Sequence, residues 1–385
     1  MTRPFTAAAS PAAERHAEET LAALVSCLKE AASGAWRGAF LGGALGHGEG
    51  ATDEGPAGEA VCASPFEVFA VLDVGSGRAA AAARELARAL ERTARSRRVP
   101  AAVSVLPAPA LGALQAGRDL LEALGARRVV SGEASLLAGA RVLGAERPAA
   151  AEALRLLVKR GAALLLADRG LSCKGSAVAA RRAFAAADDA GLACAEALLL
   201  SAGRWAPGEA AREAALRLLG SPGAGSASGI HSRMSWTRFR DVVEAQRAAL
   251  SRRQAGVPPD DLVPARTEAA RATDRFLEVL RLSEEERLSA SLPDWTAHAR
   301  ALLARHPASS LLPFGEGDPP DASGDIGALR SARRWPLAER LAPALAAQLD
   351  PDPGDLEVVP LLLGLPPDAS RERLAQRTAA LASAL

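Results

Sequence analysis

The sequence predicts an α+β protein in which a small mixed sheet with flanking helices is followed by an all-α C-terminal region. Helical and extended patterns alternate up to about residue 145, and only helical patterns follow Pro148. Hydrophobic residues form 49% of the 385-residue chain, yet aromatic residues form 3% and tyrosine is absent. Alanine and leucine therefore supply most of the apolar surface, which favours closely packed helices over an all-β sandwich.

In the N-terminal half, each element follows from the spacing of apolar residues. Residues 1–17 show no such spacing and are predicted to be a flexible tail. Helices are predicted over 18–32 and 77–98, where leucines recur on one face. Residues 48–58 are a loop by composition, since glycine and acidic residues dominate there. Strands are predicted at short, mainly apolar runs, over residues 36–43, 66–72, 99–106 and 128–131.

The C-terminal part is predicted to be helical throughout. Its helices cover residues 149–168, 176–202, 207–219, 236–254, 264–282, 294–305, 326–349 and 370–385. The glycine- and serine-rich stretch 220–229 is the clearest linker in the chain. The predicted organisation is a tail (1–17), a domain containing the sheet (18–147), a helical domain (148–220), a linker (221–234) and a C-terminal helical region (235–385).

Composition limits the possible partners. The formal net charge is +1, so no bulk electrostatic attraction favours nucleic acid or membranes, and we expect neither as a partner. The arginine cluster at residues 92–98 contains no aromatic side chain for base stacking, which makes it weak evidence for nucleic acid. The N-terminus has no apolar segment typical of a signal peptide, and no apolar run is long enough for a membrane span. We expect a cytoplasmic protein whose four cysteines are reduced thiols.

A glycine-rich stretch carries the first chemical signal. Residues 42–50 read Gly-Gly-Ala-Leu-Gly-His-Gly-Glu-Gly. A dinucleotide-binding loop would lead directly into a long helix, but a turn-rich segment follows here. Glycines in such a stretch also simply permit a tight turn after a strand. The sequence contains no serine-hydrolase elbow, phosphate-binding lysine loop or zinc-protease motif.

The order of motifs around this stretch resembles the DNA polymerase β-type nucleotidyltransferase superfamily. Members of its bacterial stand-alone subgroup read roughly Thr-Gly-Ser-Leu-Gly-Arg-Gly-Glu-Gly, followed by Ser-Asp-Tyr-Glu-Phe on the next strand. Here residues 64–69 read Ser-Pro-Phe-Glu-Val-Phe. Further segments look like later parts of the family pattern, at residues 120–133, 153–160, 194–200 and 203–205. The resemblance spans about residues 18–219 and implies a nucleotidyltransferase fold.

The resemblance also implies which residues carry the chemistry. Family members bind an NTP with two Mg²⁺ ions about 4 Å apart, held by carboxylates from adjacent strands. Glu67 occupies one carboxylate position, and we expect it to be the catalytic residue and metal ligand. The first acid is replaced by Pro65, and the third strand offers only Ala102 or Ser104. The serine of the glycine turn is replaced by Ala44.

The nucleotide-binding residues implied by the resemblance are Gly42, Gly43, Ala44, His47 and Lys159. His47 replaces an arginine that would meet phosphate, but a loop histidine without a ligand role is the alternative. Lys159 would clamp phosphate, or it would simply lie on the solvated face of a helix. Glu49 is predicted to be a capping or loop carboxylate.

Two functions remain open from the sequence. The first is transfer of a nucleoside monophosphate from an NTP to a small-molecule or protein hydroxyl, with Mg²⁺ as cofactor. One family carboxylate of three is present, which predicts very low metal affinity unless Asp53, Glu54, Glu59 or Asp73 substitutes. The alternative is a non-catalytic helical protein that serves as a binding or regulatory scaffold, with a protein partner.

Overall fold

The computed structural model is mixed α+β, with a small mixed sheet and many helices. It describes residues 4–55, 58–115, 118–126, 128–137, 140, 142–143, 151–221, 229–255, 259–292, 294–305, 337–349, 359–363, 365 and 368–383. The chain divides into two compact units. The first unit comprises residues 1–148, 205–215 and 250–258, and the second comprises the remaining residues.

Three helices and five strands build the central part of the first unit. They are, in chain order, α1 (Pro11–Ala31), β1 (Trp36–Leu41), α2 (Gly43–His47), β2 (Thr52–Glu54), β3 (Ala60–Cys62), β4 (Phe66–Leu72), α3 (Ser76–Arg97) and β5 (Ala101–Pro107). After a 3₁₀ turn follow β6 (Leu114–Gln115), α4 (Arg118–Ala126), β7 (Arg128–Ser131) and β8 (Val142–Leu143).

The main sheet has four strands in the order β5-β4-β1-β7. Strand β1 runs antiparallel to β4, with Leu41 opposite Val68, and antiparallel to β7. Strand β5 runs parallel to β4, with Ala102 opposite Glu67. The sheet is therefore mixed, as predicted, and its two central strands bring the end of β1 next to the start of β4.

Each face of the sheet packs on a different set of side chains, because alternate strand residues point to opposite faces. One face buries Leu41, Phe66 and Val68 against α1 and α3, in the larger core of the unit. The other face carries Phe40 and Phe69, whose rings stack with centroids 5.1 Å apart. Glu67 alternates with the first set and therefore lies on the second face.

Residues 1–17 were predicted to be a flexible tail, and over the described residues 4–17 the structure differs from that prediction. Helix α1 begins at Pro11, with the Ser10 hydroxyl accepting a hydrogen bond from the Ala13 amide at 3.3 Å. The amides of Phe5 and Thr6 donate to the Glu14 carboxylate at 2.6 and 2.8 Å. A serine N-cap followed by proline is an ordinary start signal for a helix. The buried face of this first segment is alanine, which leaves no apolar periodicity to detect.

The predicted loop over residues 48–58 also differs from the structure. Its middle forms strand β2, which pairs antiparallel with β3, Thr52 opposite Cys62. Strands of three residues are too short for an alternating pattern to stand out, so composition alone indicated a loop.

The helices after residue 150 confirm the predicted all-α character of the described part of this region. They are α5 (Ala151–Lys174), α6 (Ala177–Ser201), α7 (Glu209–Leu219), α8 (Trp236–Ala255), α9 (Leu262–Leu288) and α10 (Trp295–Arg305), followed by Leu337–Leu349, Val359–Leu363 and Arg371–Ser383. In the second unit α6 is buried along most of its length and packs on α5 and α9. Of the predicted linker, 222–228 lies outside the described residues, whereas Ile230–Arg233 forms a 3₁₀ turn with Ile230 buried.

No helix in the described ranges combines the length and the apolar character that crossing a bilayer requires.

Candidate functional site

The glycine turn, defined here as residues 42–50, meets Glu67 where β1 ends. The Gly42 amide donates to the Glu67 carbonyl at 2.8 Å. Gly43 has a φ of 59°, in the left-handed region that favours glycine. A Cβ atom at Gly43 would lie 2.9 to 3.1 Å from the carboxylate atoms of Glu67. The structure thus brings together Gly42, Gly43 and Glu67, with Ala44 next in the first turn of α2.

The neighbouring positions at this end of the sheet carry no carboxylate. Pro65 is exposed directly before β4. On the parallel strand β5, Ala102 is in register with Glu67 and Ser104 with Phe69, and both Ala102 and Ser104 are exposed. Adjacent residues in register point to the same face of a sheet. The two positions on this face of β5 nearest to Glu67 therefore hold a methyl group and a hydroxyl.

The other acids that were candidate metal ligands lie elsewhere in the first unit. Asp73 pairs with Arg37 at 2.5 Å, beyond the far end of β4. It lies six residues along the chain from Glu67, about 20 Å for an extended strand. Asp53 and Glu59 belong to the β2–β3 hairpin, where Asp53 accepts a hydrogen bond from the Glu54 amide. Among the described residues, no group of three histidine, cysteine, aspartate or glutamate side chains is arranged to hold a metal ion. The residues around Glu67 do not fit a two-Mg²⁺ site.

His47 is turned into the protein. Its side chain is 8% exposed, and Nε2 lies 2.9 Å from the Glu122 carbonyl oxygen and 3.4 Å from the Glu122 carboxylate. The ring also lies beside Gly208, where a Cβ atom would come within 3.1 Å of Nδ1. These contacts give His47 a structural role that ties the glycine turn to α4 and to the start of α7.

Glu122 is the centre of a buried polar cluster that includes His47. It accepts a hydrogen bond from the Arg212 guanidinium at 2.7 Å and from the Gly208 amide at 3.2 Å. Arg212 also pairs with Glu209 at 3.2 Å. The side chains of Glu122 and Arg212 are 7% and 6% exposed. A buried carboxylate of this kind needs such partners, because unpaired burial of a charge is expensive.

Glu49 caps helix α7. Its two carboxylate oxygens accept hydrogen bonds from the amides of Glu209 at 2.8 Å and Ala210 at 3.2 Å. These amides belong to the first turn of α7, where backbone N–H groups lack partners within the helix and the dipole favours an anion. The prediction of a capping carboxylate is confirmed, although the capped helix begins 160 residues later.

Lys159 is placed on α5, in the second unit, where it is exposed. Its neighbour Arg160 pairs with Asp189 at 2.9 Å.

A second buried polar cluster lies at the C-terminal end of α9. Glu284 is fully buried and accepts hydrogen bonds from Arg287 at 2.6 and 2.8 Å, with His298 Nε2 at 3.0 Å. Burial alone would raise the pKa of the Glu284 carboxyl, but the hydrogen bonds from Arg287 and His298 outweigh it and lower the pKa. The adjacent Glu285 is held by Arg281 and Arg233.

Two of the four cysteines, Cys62 and Cys194, are unsuited to act as nucleophiles. Cys62 and Cys194 are buried, and burial raises the pKa of their thiols to about 11 and about 12. Such thiols are protonated and inert near neutral pH. Cys27 is partly buried and donates to the Leu24 carbonyl, and the side chain of Cys173 lies outside what the structure describes.

Sequence reasoning did not find the cluster around Glu122. Its members come from stretches that are far apart in the chain, with 90 residues between Glu122 and Arg212. No local spacing connects them, so only the three-dimensional arrangement could reveal them.

Comparison of the chain with protein-family models, curated proteins and solved structures gave no match.

Proposed function

We propose that residues 18–219 include a polymerase β-like nucleotidyltransferase fold that has lost its metal-dependent chemistry and serves as a binding or regulatory module. One observation carries the proposal. Glu67 lies against the glycine turn, as the family arrangement requires, while the positions beside it that should hold acids are Pro65 and Ala102.

The order of elements supports the fold part of the proposal. A strand ends in the glycine turn, a short helix follows, and the next long strand carries Glu67 beside the first strand. A third long strand, β5, then lies next to the one that carries Glu67. This is the sequence of strand, turn, acid-bearing strand and third strand on which the resemblance rests.

The electrostatics of the site support the loss of catalysis. Two Mg²⁺ ions bring four positive charges, and Mg²⁺ prefers hard oxygen ligands. Glu67 supplies one negative charge, and Ala44 has no hydroxyl to hold a phosphate. Transfer of a nucleoside monophosphate by two metals is therefore not the activity that these residues favour.

Thermal unfolding with each NTP, in Mg²⁺ and in EDTA, tests the proposal. We expect no increase in Tm that depends on Mg²⁺, because a ligand stabilises the native state only in proportion to its occupancy. A Mg²⁺-dependent increase, together with labelling of an acceptor by a radioactive nucleoside monophosphate, would show that the site is an active enzyme.

A gain-of-function variant tests the fold separately. Pro65→Asp with Ala102→Asp restores acids on both sides of Glu67, and Pro65→Asn with Ala102→Asn is the matched uncharged control. We expect the aspartate variant alone to acquire Mg²⁺-dependent stabilisation by an NTP. If the two folded variants behave alike, the family assignment loses its support.

A further inference from the structure

The outer face of α3 carries a stripe of arginines, defined here as Arg84, Arg88, Arg92 and Arg95. Their spacing of four, four and three residues places them on one side of the helix, over about 16 Å. All four are exposed, whereas Leu86 and Leu90 on the opposite side are buried in the core of the first unit. Arg97 and Arg98, both exposed, extend the positive charge at the end of the helix.

Most of this charge is not neutralised by the protein. Arg95 pairs with Glu91 at 2.7 Å. Within the described part of the chain, Arg84, Arg88 and Arg92 make no ion pair or side-chain hydrogen bond. Glu85 is the other exposed acid on this helix. Arginines on other helices are paired with acids, among them Arg160, Arg181, Arg238, Arg275 and Arg287.

A straight row of guanidinium groups matches a row of phosphates. Guanidinium binds phosphate with two parallel hydrogen bonds and stays charged at any physiological pH. A nucleic-acid duplex presents phosphates at regular intervals along its whole length. Several phosphates of one strand therefore fall within the length of the stripe.

The side chains of α3 argue against a membrane, a protein or a single strand as the partner of the stripe. A helix that binds a membrane surface inserts an apolar face, but the apolar face of α3 is buried in the core. Protein interfaces centre on large apolar or aromatic side chains, and no exposed one lies on α3. Single strands are held by stacking on aromatic rings, which this helix lacks.

We propose that the arginine stripe of α3 binds the phosphate backbone of a nucleic-acid duplex without reading its sequence. The near-zero net charge indicated no nucleic-acid partner, but net charge averages over the whole chain whereas this stripe is local. The proposal is independent of the nucleotidyltransferase fold, because it rests on the outer face of α3 alone.

Fluorescence anisotropy of a labelled duplex of about 20 base pairs, titrated with the full-length chain, tests the proposal. We expect binding in the micromolar range at about 50 mM salt. Four phosphate contacts predict a slope of log K against log salt of about −3 to −4, or about a 100-fold loss on a fourfold increase in salt. DNA and RNA duplexes of random sequence are expected to bind similarly.

The decisive variant replaces three arginines of the stripe, Arg84→Gln, Arg88→Gln and Arg92→Gln. We expect this variant to bind the duplex at least tenfold more weakly, with a slope of log K against log salt near −1. The matched control has the same net charge, with Arg271→Gln, Arg300→Gln and Arg371→Gln, three exposed arginines outside α3. Because all six side chains are exposed, both variants should keep the Tm of the wild type.

Several outcomes overturn the proposal. Absence of duplex binding at low salt excludes it, and an equal loss in both variants shows a general charge effect. Tighter binding to vesicles containing phosphatidylserine, to polyglutamate or to a single strand of the same length assigns the stripe to a different partner.

Discussion

The carboxylate of Glu122 and the guanidinium of Arg212 lie 2.7 Å apart, and both side chains are almost completely buried. The pair joins α4 to α7 within the first unit. The Gly208 amide and His47 also contact Glu122, so its carboxylate is surrounded by groups that donate hydrogen bonds or carry positive charge.

Replacing Arg212 by methionine tests how much this pair stabilises the first unit. Loss of one partner leaves a buried carboxylate without its cation, which costs about 3–5 kcal/mol of unfolding free energy. Urea denaturation measures the change, and Arg95→Met, at an exposed pair, is expected to cost less than about 1 kcal/mol. The double variant Glu122→Leu with Arg212→Met should lose less unfolding free energy than the two single variants lose when their losses are added. Strict additivity would contradict the pairing.

Replacing Glu49 by alanine tests the cap of α7. The amides of Glu209 and Ala210 lose their acceptors, so we expect a loss of about 0.5–2 kcal/mol and faster amide exchange at the start of α7. Glu49→Gln keeps one acceptor oxygen and should have a smaller effect. Glu30→Ala, at an exposed position of α1, serves as control. Unchanged exchange of the α7 amides in Glu49→Ala would rule out the cap.

Two glycine substitutions should change stability in opposite directions. A Cβ at Gly42 would lie 2.6 Å from the Phe69 ring and 3.0 Å from the Ala123 methyl, and overpacking of this kind costs about 1–3 kcal/mol. Gly170 lies inside α5, where a Cβ would meet no atom within 4 Å. Gly170→Ala should therefore stabilise by about 0.5–1 kcal/mol, through its higher helix propensity. Thermal and urea unfolding measure both, and destabilisation by Gly170→Ala would be inconsistent with the open space around it.

Acid should weaken the second unit through Glu284. Because the folded state lowers the pKa of its carboxyl, the stabilisation is fully present above the ordinary value of 4.5 and disappears as pH falls through the lowered folded value. Unfolding free energy measured between pH 6 and 3 should fall less steeply in Glu284→Gln than in the wild type. Glu284→Gln should also be less stable at pH 7, since Arg287 and His298 lose an anionic partner. Glu244→Gln, an exposed control, should keep the wild-type slope, and equal slopes in all three proteins would argue against the role of Glu284.

The sequence predicted the long elements because their patterns are local. Helices α5 to α10 show apolar residues every three to four positions, and β1 and β4 are mainly apolar runs, each with one charged residue. The adjacency of the glycine turn and Glu67 was likewise predictable, as a consequence of the strand order in the resemblance. The short strand pairs β2–β3 and β6–β8 were not predictable, because a strand of two or three residues is too short to show an alternating pattern.

The orientation of His47 illustrates what local patterns miss. The resemblance places it on a glycine-rich turn where a cation meets phosphate, but in the structure its ring lies between Glu122 and Gly208. Both partners are more than 70 residues away. Packing partners at this separation leave no trace in spacing or composition.

The discontinuity of the first unit has a consequence for the order in which the protein folds during synthesis. Strands β1, β4, β5 and β7 are all synthesised before residue 132. The partners of Glu49 and Glu122, namely Glu209 and Arg212, are synthesised much later, and Arg253, which pairs with Glu209 at 3.5 Å, later still. A chain that ends near Pro148 therefore contains every strand of the main sheet but lacks the partners of Glu49 and Glu122, and the first unit is complete only after about a hundred further residues have been added.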